Sequence, residues 1–213
     1  MNDVVPGPDG ELRCPWAVST ADYLAYHDGE WGRPVHGDTP LYERLTLEAF
    51  QSGLSWLTIL RKRAGFREAF SGFDPDVVAG FDDADIERLM SDGRIVRNRA
   101  KIVAVVTNAR ALVRLRDDEG ERALDRLIWS FAPDGARHAP RTLADVPSTT
   151  TESAALAKAL KRRGFVFVGP TTAYATMQAA GVVNDHLARC VARANEPELS
   201  SVSPLPGSAG ALT

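Results

Sequence analysis

The 213-residue chain is predicted to fold as one all-α domain, from three observations. Apolar residues recur at spacings of three and four along 97–116, at Ile102, Val105, Val106, Ala109 and Leu112, the stripe of an amphipathic helix. Helix-starting residues and helix-stopping Gly or Pro divide most of the rest into short segments. Only Phe165–Val168 has the composition of a strand, and a stretch that short serves equally as a buried turn.

In chain order, residues 1–11 are polar with Pro and Gly and are expected to be a disordered N-terminal segment. Asp38 and Thr39 precede Pro40 and open a helix that Gly53 closes. Ser55 caps the next, running to about Arg63. Asp74–Pro75 opens a short helix, and Asp82 and Asp83 open another ahead of DIERLM. The long stripe over 97–116 follows, then ALDRLIWSF. Ser153 to Arg163 and Thr171 to Ala180 are two further helices, the second after Pro170. Gly181 separates a last helix carrying VNDHLARC. The count is eight to ten helices within 12–195, and the Ser-, Pro- and Gly-rich 196–213 is expected to be a disordered tail.

Apolar residues make up 44% and charged residues 25%, the balance of an ordinary globular chain rather than a disordered one. No leader pattern and no membrane-length apolar run is visible, so a cytoplasmic protein without a membrane partner is expected. In that reducing setting a disulfide between the two cysteines, Cys14 and Cys190, is disfavoured.

The net charge of −3 argues weakly against a polyanionic partner, but the distribution matters more. Three acid-free windows (61–67, 94–101 and 158–163) hold 12 of the 25 Lys and Arg residues, as a basic face on an acidic body would. Solvated helix ends are the bland reading of the same pattern.

Two constellations carry candidate chemistry. His186 and Cys190 lie four apart on the predicted last helix, a spacing that puts both on one face. With Cys14 and His27 they make a closed Cys2His2 set of the kind that holds a structural zinc and would tie the chain ends together. Core packing of the same residues is the alternative. Trp16, Trp31 and Trp56, with Tyr23 and Tyr26, crowd the first quarter of the body, where aromatic faces would grip an extruded nucleobase. An aromatic core is the competing reading. Glu48 sits among Leu45, Leu47 and Phe50, and an acid on so apolar a segment costs energy unless something binds it; an exposed or capping Glu is the alternative.

The motifs RCPW (13–16), YLAYHDGEWG (23–32), LEAFQSGLSWLTIL (47–60), FDP (73–75), RNRAKI (97–102), WSF (129–131), KALKRRGFVFVGPTTAYATMQAAG (158–181) and VNDH (183–186) together resemble the DNA-3-methyladenine glycosylase I family. The resemblance runs from Cys14 to Cys190. It implies an atypical helix-hairpin-helix DNA glycosylase fold, with a structural zinc site of Cys14, His27, His186 and Cys190 joining the N- and C-terminal segments. It places the helix-hairpin-helix region near 85–110, around a turn containing Gly93. It makes Glu48 the purine-contacting acid and the candidate catalytic residue, acting either on water or through the base alone, and Trp16, Tyr26 and Trp56, with Tyr23 and Trp31 close by, the base pocket.

The implied partner is double-stranded DNA containing alkylated adenine, handled by a monomer. The implied reaction is hydrolysis of the N-glycosidic bond of 3-methyladenine, leaving an abasic site. No Lys is placed as a Schiff-base nucleophile, so monofunctional hydrolysis is expected. Leu54 is the candidate wedge, and Arg97, Lys101, Lys161 and Arg162 are candidate phosphate contacts. Two positions depart from the family pattern, Ala49 and Pro15, both where Gly is frequent; neither removes a reacting group. A zinc-containing DNA-binding module without catalysis, a glycosylase of shifted base preference, and a hydrolase using zinc directly are the competing functions.

Overall fold

The structure, a computed structural model, describes residues 3–135 and 138–194. Helices dominate, in the order α1 (Ala21–Gly29), α2 (Asp38–Gln51), α3 (Trp56–Ala69), α4 (Pro75–Ala79), α5 (Asp83–Ser91), α6 (Arg99–Glu119), α7 (Ala123–Trp129), α8 (Thr151–Arg162), α9 (Pro170–Ala179) and α10 (Val191–Ala194). Short 3-10 turns occupy Pro15–Ser19, Ser71–Phe73 and Leu143–Asp145.

The local start signals form as the chemistry requires. Ser55 accepts from the Thr58 N–H at 3.3 Å, Asp74 from Asp76 at 2.9 Å and Asn98 from Lys101 at 3.1 Å. Asp82 and Asp85 form a reciprocal capping box, as do Thr150 and Ser153. Each such cap satisfies N–H groups that the helix leaves without partners, a gain of about 1 kcal/mol.

The long helix α6 runs through the core, burying Ile102, Val105, Val106, Ala109 and Leu112 as their spacing predicts. Around it pack α2, α4, α5 and α7. A chain of rings, Phe50, Phe66, Phe70, Phe73 and Phe81, fills the space beside α3. A second small core of Cys14, Leu187, Cys190 and Ala192, with Val4 and Trp16 against it, joins the two chain ends.

Three local outcomes differ from the sequence reading. Residues 3–13 are not the loose segment expected over 1–11. Strands β1 (Val5–Pro6) and β2 (Leu12–Arg13) pair antiparallel, Val5 opposite Arg13 and Pro6 opposite Leu12. Arg13 is the reason: buried, it bonds Asp9 at 2.6 and 2.7 Å and Asp28 at 2.9 and 3.0 Å. The tail expected over 196–213 lies outside the described residues.

The segment VNDHLARC is not a helix. Asn184 Oδ1 takes the His186 N–H at 3.0 Å, and Ala188 N–H donates to Pro140 O at 2.8 Å. These local and long-range partners replace the helical ladder. Finally, α1 has no counterpart in the sequence reading. It carries pocket residues on one side and a ligand candidate on another, so its apolar residues form no single stripe.

Candidate base pocket and metal centre

The six residues proposed from sequence as a base pocket converge. Trp16, Tyr23, Tyr26, Trp31, Glu48 and Trp56 line one cavity of about 290 Å³. Gln51, Ala175 and Gln178 complete it. Gln51 is one helical turn beyond Glu48, a spacing that the sequence does display. Ala175 and Gln178 arrive from α9, far along the chain, with no local signal to mark them.

The aromatic walls are interlocked. Trp16 meets Tyr23 edge-on at 5.6 Å and Trp31 at 5.1 Å between ring centroids. Tyr26 and Trp56 lie 5.3 Å apart, tilted by 46°. The Tyr23 hydroxyl accepts the Leu57 N–H at 3.0 Å, fixing α1 against the start of α3. Two donors in this wall are buried and unpartnered: Tyr26 Oη and Trp56 Nε1. Such groups cost energy until a partner arrives.

Glu48 is the single acid of the cavity, 7% exposed and with no hydrogen-bond partner among the described residues. Burial pushes its carboxyl up to about 8, against a smaller opposing pull from Arg44 one turn earlier. Arg44 itself faces Glu30, which binds Arg63 at 2.5 and 2.7 Å. The pocket therefore holds a buried acid that no cation pairs directly among the described residues and that keeps its proton at neutral pH. No lysine lines it.

Gln178 donates from Nε2 to Asp185 Oδ2 at 2.9 Å, and Tyr174 Oη donates to the same oxygen at 2.5 Å. A carboxylate only accepts, so the amide is oriented with its Oε1 free of Asp185.

The metal candidates also meet. Ligand atoms of Cys14, His27 and Cys190 lie within 4.8 Å of one another, and Cys190 Sγ is 3.4 Å from His27 Nε2. His186 stands beside them, its ring 4.7 Å from that of His27. All four residues are essentially inaccessible to solvent. The second ring nitrogens are held: His27 Nδ1 by Asp28 Oδ1 at 2.7 Å, His186 Nδ1 by Asn184 Oδ1 at 3.0 Å. That leaves His186 Nε2 buried with no partner.

Outer hydrogen bonds of this type orient imidazole ligands. Burial lowers His186 to about 4, so its ring is neutral, the form that ligates. Close approach matters too, for a Cβ at Gly32 (φ +75°) would fall 2.7 Å from His186 Cε1. The ligand atoms of Cys14, His27 and Cys190 lie close enough together to hold one metal ion, and His186 Nε2, buried and unpartnered beside them, is a candidate fourth donor. His186 and Cys190 reach it from a loop and not from the helix predicted for them.

The basic windows separate sharply. In the first, Arg61 pairs with Asp22, Arg63 with Glu30 and Arg67 with Glu43, while Lys62 bonds the Gly93 carbonyl. In the second, Arg94 pairs with Asp92 and Glu68, and Arg99 with Glu87. Lys101, expected at a phosphate, is buried: its Nζ donates to Phe50 O at 2.9 Å and Ser52 O at 2.6 Å. An ammonium so enclosed does not reach DNA, and the expectation is corrected.

Arg97 alone of that window is exposed with no acidic partner among the described residues. In the third window Arg163 pairs with Glu119, but Lys158, Lys161 and Arg162 are exposed with no ion pair among the described residues. They line a shallow cavity reaching Pro170 at the start of α9. Leu54 is 40% exposed beside Gly53, at the rim of a smaller cavity that Thr171 and Thr172 also line.

With this geometry in place, likeness to known proteins is informative. Residues 16–194 match the methyladenine glycosylase family. The chain is 45% identical over 183 residues to DNA-3-methyladenine glycosylase 1 of Escherichia coli (strain K12), covering 84% of this chain and 95% of that protein. It is 45% identical to the DNA-3-methyladenine glycosylase of Haemophilus influenzae, covering 84% of this chain and 96% of that one. A crystal structure of a 3-methyladenine DNA glycosylase I superposes with a TM-score of 0.80 at 42% identity, over 87% of this chain and all of that one. The chain belongs to the methyladenine glycosylase family.

Proposed function

We propose that the protein is a base-excision-repair glycosylase that hydrolyses the N-glycosidic bond of 3-methyladenine in alkylated duplex DNA. The observation that carries this reading is the cavity: large enough for a purine, walled by five aromatic residues, with one directly unpaired buried carboxyl at Glu48. Methylation at N3 makes the adenine cationic while it is still bonded to the sugar. A cationic ring supplies the charge that the pocket lacks, and stacks on indole faces with a cation–π contribution of about 1–2 kcal/mol. Glu48 accepts hydrogen bonds from the base edge. Unmodified adenine brings no charge, so the enclosed acid discriminates between the two bases.

The charged base is already a good leaving group, so departure needs little proton donation from the protein. The work of the chain is extrusion and positioning. Leu54 enters the gap left in the duplex. With no lysine in the cavity the product is an abasic site on an intact strand.

Two helix pairs are candidates for the backbone-anchoring hairpin: α5–α6 through 92–98, where the sequence reading placed it, and α8–α9 through 163–169. The unpaired cations favour the second, with Arg97 contributing from the first. The metal is proposed to be one structural zinc, which holds the chain ends and takes no part in bond cleavage. The protein is proposed to act as a monomer, in the cytoplasm.

Purified protein incubated with methylated duplex DNA is expected to release 3-methyladenine, read by chromatography; no release defeats the proposal. Replacing Lys158, Lys161 and Arg162 together by Gln is expected to weaken DNA binding and flatten its salt dependence. The slope of log K against log salt should fall by about 0.9 per lost phosphate contact. An unchanged slope removes this surface from the interface.

A further inference from the structure

Two turns matter beside the base pocket: Ser52–Gly53–Leu54 after α2, which lines the smaller adjoining cavity, and 163–169 between α8 and α9, which leads into Thr171 and Thr172 on the far side of that cavity. Each secures only part of its own backbone: Leu54 N–H donates to Gln51 O at 2.7 Å and Phe165 N–H to Leu160 O at 3.1 Å, and other main-chain groups are left over. The Phe50 and Ser52 carbonyls lie where α2 runs out of intrahelical donors. The N–H and C=O of Val166 have no main-chain partner among the described residues. Phe167, next to it, sits in the left-handed region at φ +56°, which a phenylalanine adopts only when its surroundings impose it.

Both turns are held by side chains of α6. Lys101 Nζ binds Phe50 O at 2.9 Å and Ser52 O at 2.6 Å. Asn108 takes both groups of Val166, accepting from its N–H at 2.7 Å and donating to its C=O at 3.1 Å. Lys101 is 8% exposed and Asn108 is 2% exposed. They stand seven residues apart, two helical turns, so they project from nearly the same side of α6 about 10 Å apart along its axis.

We infer that Lys101 and Asn108 are positioning residues that set the distance and register between the wedge turn and the α8–α9 hairpin. α6 is the rigid spacer between them. A duplex gripped at the hairpin is thereby presented to Leu54 at the point where the base must leave the stack. Neither residue lines the base cavity, so their effect falls on extrusion and not on recognition of the free base. The inference rests on the glycosylase reading, which makes these turns the DNA-facing ones.

The test compares K101M and N108L with the wild type in two assays. One is release of 3-methyladenine from methylated duplex DNA under single-turnover conditions. The other is binding of free 3-methyladenine, followed by tryptophan fluorescence. Each variant is expected to lose at least tenfold in release rate while binding the free base within about twofold of wild type. K101R, which keeps a cation with several donors, should recover part of the release rate. Loss of release and free-base binding in the same proportion, through unfolding or otherwise, would overturn the inference, as would unchanged release. Failure of the glycosylase reading shows separately, as a wild type that releases no base, and takes this inference with it.

Discussion

Glu48→Gln is expected to lower release of 3-methyladenine from alkylated DNA by about 100- to 1000-fold, the range seen when one preorganised group facing developing or fixed charge is removed. The amide keeps the shape and the hydrogen-bonding reach of the acid but not its charge. Helical content and metal content should be unchanged, because Glu48 touches neither a cap nor the cluster of cysteines and histidines. Release within tenfold of wild type would remove Glu48 from the reaction.

The raised pKa gives this prediction a second readout. In the free protein burial lifts Glu48 from 4.5 to about 8, so the folded state holds its proton more tightly than the unfolded chain. The stability this contributes is complete below about pH 4.5 and is lost as pH rises through about 8. The form that meets a cationic base is the carboxylate, so kcat/KM on 3-methyladenine in DNA should rise with pH toward a plateau above about 8. Glu48→Gln should flatten both profiles. A rate profile that falls between pH 6 and pH 8 would contradict the charge-matching role.

Cys190→Ser is expected to be the most destabilising single change, by at least about 3 kcal/mol, because it takes a thiolate from the proposed metal site, where metal affinity would be folding free energy. At this size each 1 kcal/mol moves Tm by about 2–4 °C. The melting temperature and the metal content, measured by elemental analysis, should fall together. Chelation of the wild type should reproduce the loss.

The activity should suffer less than in the Glu48 variant at temperatures where the protein is folded. Some effect is still expected. The ligand candidates buttress the aromatic wall: Trp16 lies 5.1 Å from His27 and Trp31 4.7 Å from His186, edge-on in both cases. A metal-free protein of full stability would falsify the structural role. The position of the cluster accounts for the expected size of the effect, since it would close a loop from Cys14 to Cys190 that spans almost all of the described residues.

Several helix starts were legible because each is decided within one turn, whereas α1 was not read and α2 starts without the side-chain cap expected of Asp38 or Thr39. Ser55, Asp74 and Asp82 satisfy N–H groups two or three residues away, and those pairs are visible as spacing in the sequence. The buried stripe of α6 was legible for the same reason, as one surface of one helix. Glu48, Trp16 and their neighbours were legible as a motif, since an acid among leucines and a cluster of aromatics are unusual wherever they occur.

What the tertiary structure alone decided are the outcomes set by residues distant in sequence. Lys101 reads as a surface cation until two carbonyls of α2, about fifty positions earlier, enclose it. Arg63 and Lys161 belong to similar basic windows, yet one meets Glu30 and the other meets solvent. His186 and Cys190 stand at the Cys/His cluster but leave their predicted helix, because Asn184 and Pro140 compete for the backbone. Ala175 and Gln178 enter the cavity only because α9 packs against α2. Local hydrogen bonding and helical period fix the elements; burial, pairing and the shape of a cavity depend on which elements meet, and no short window of sequence contains that meeting.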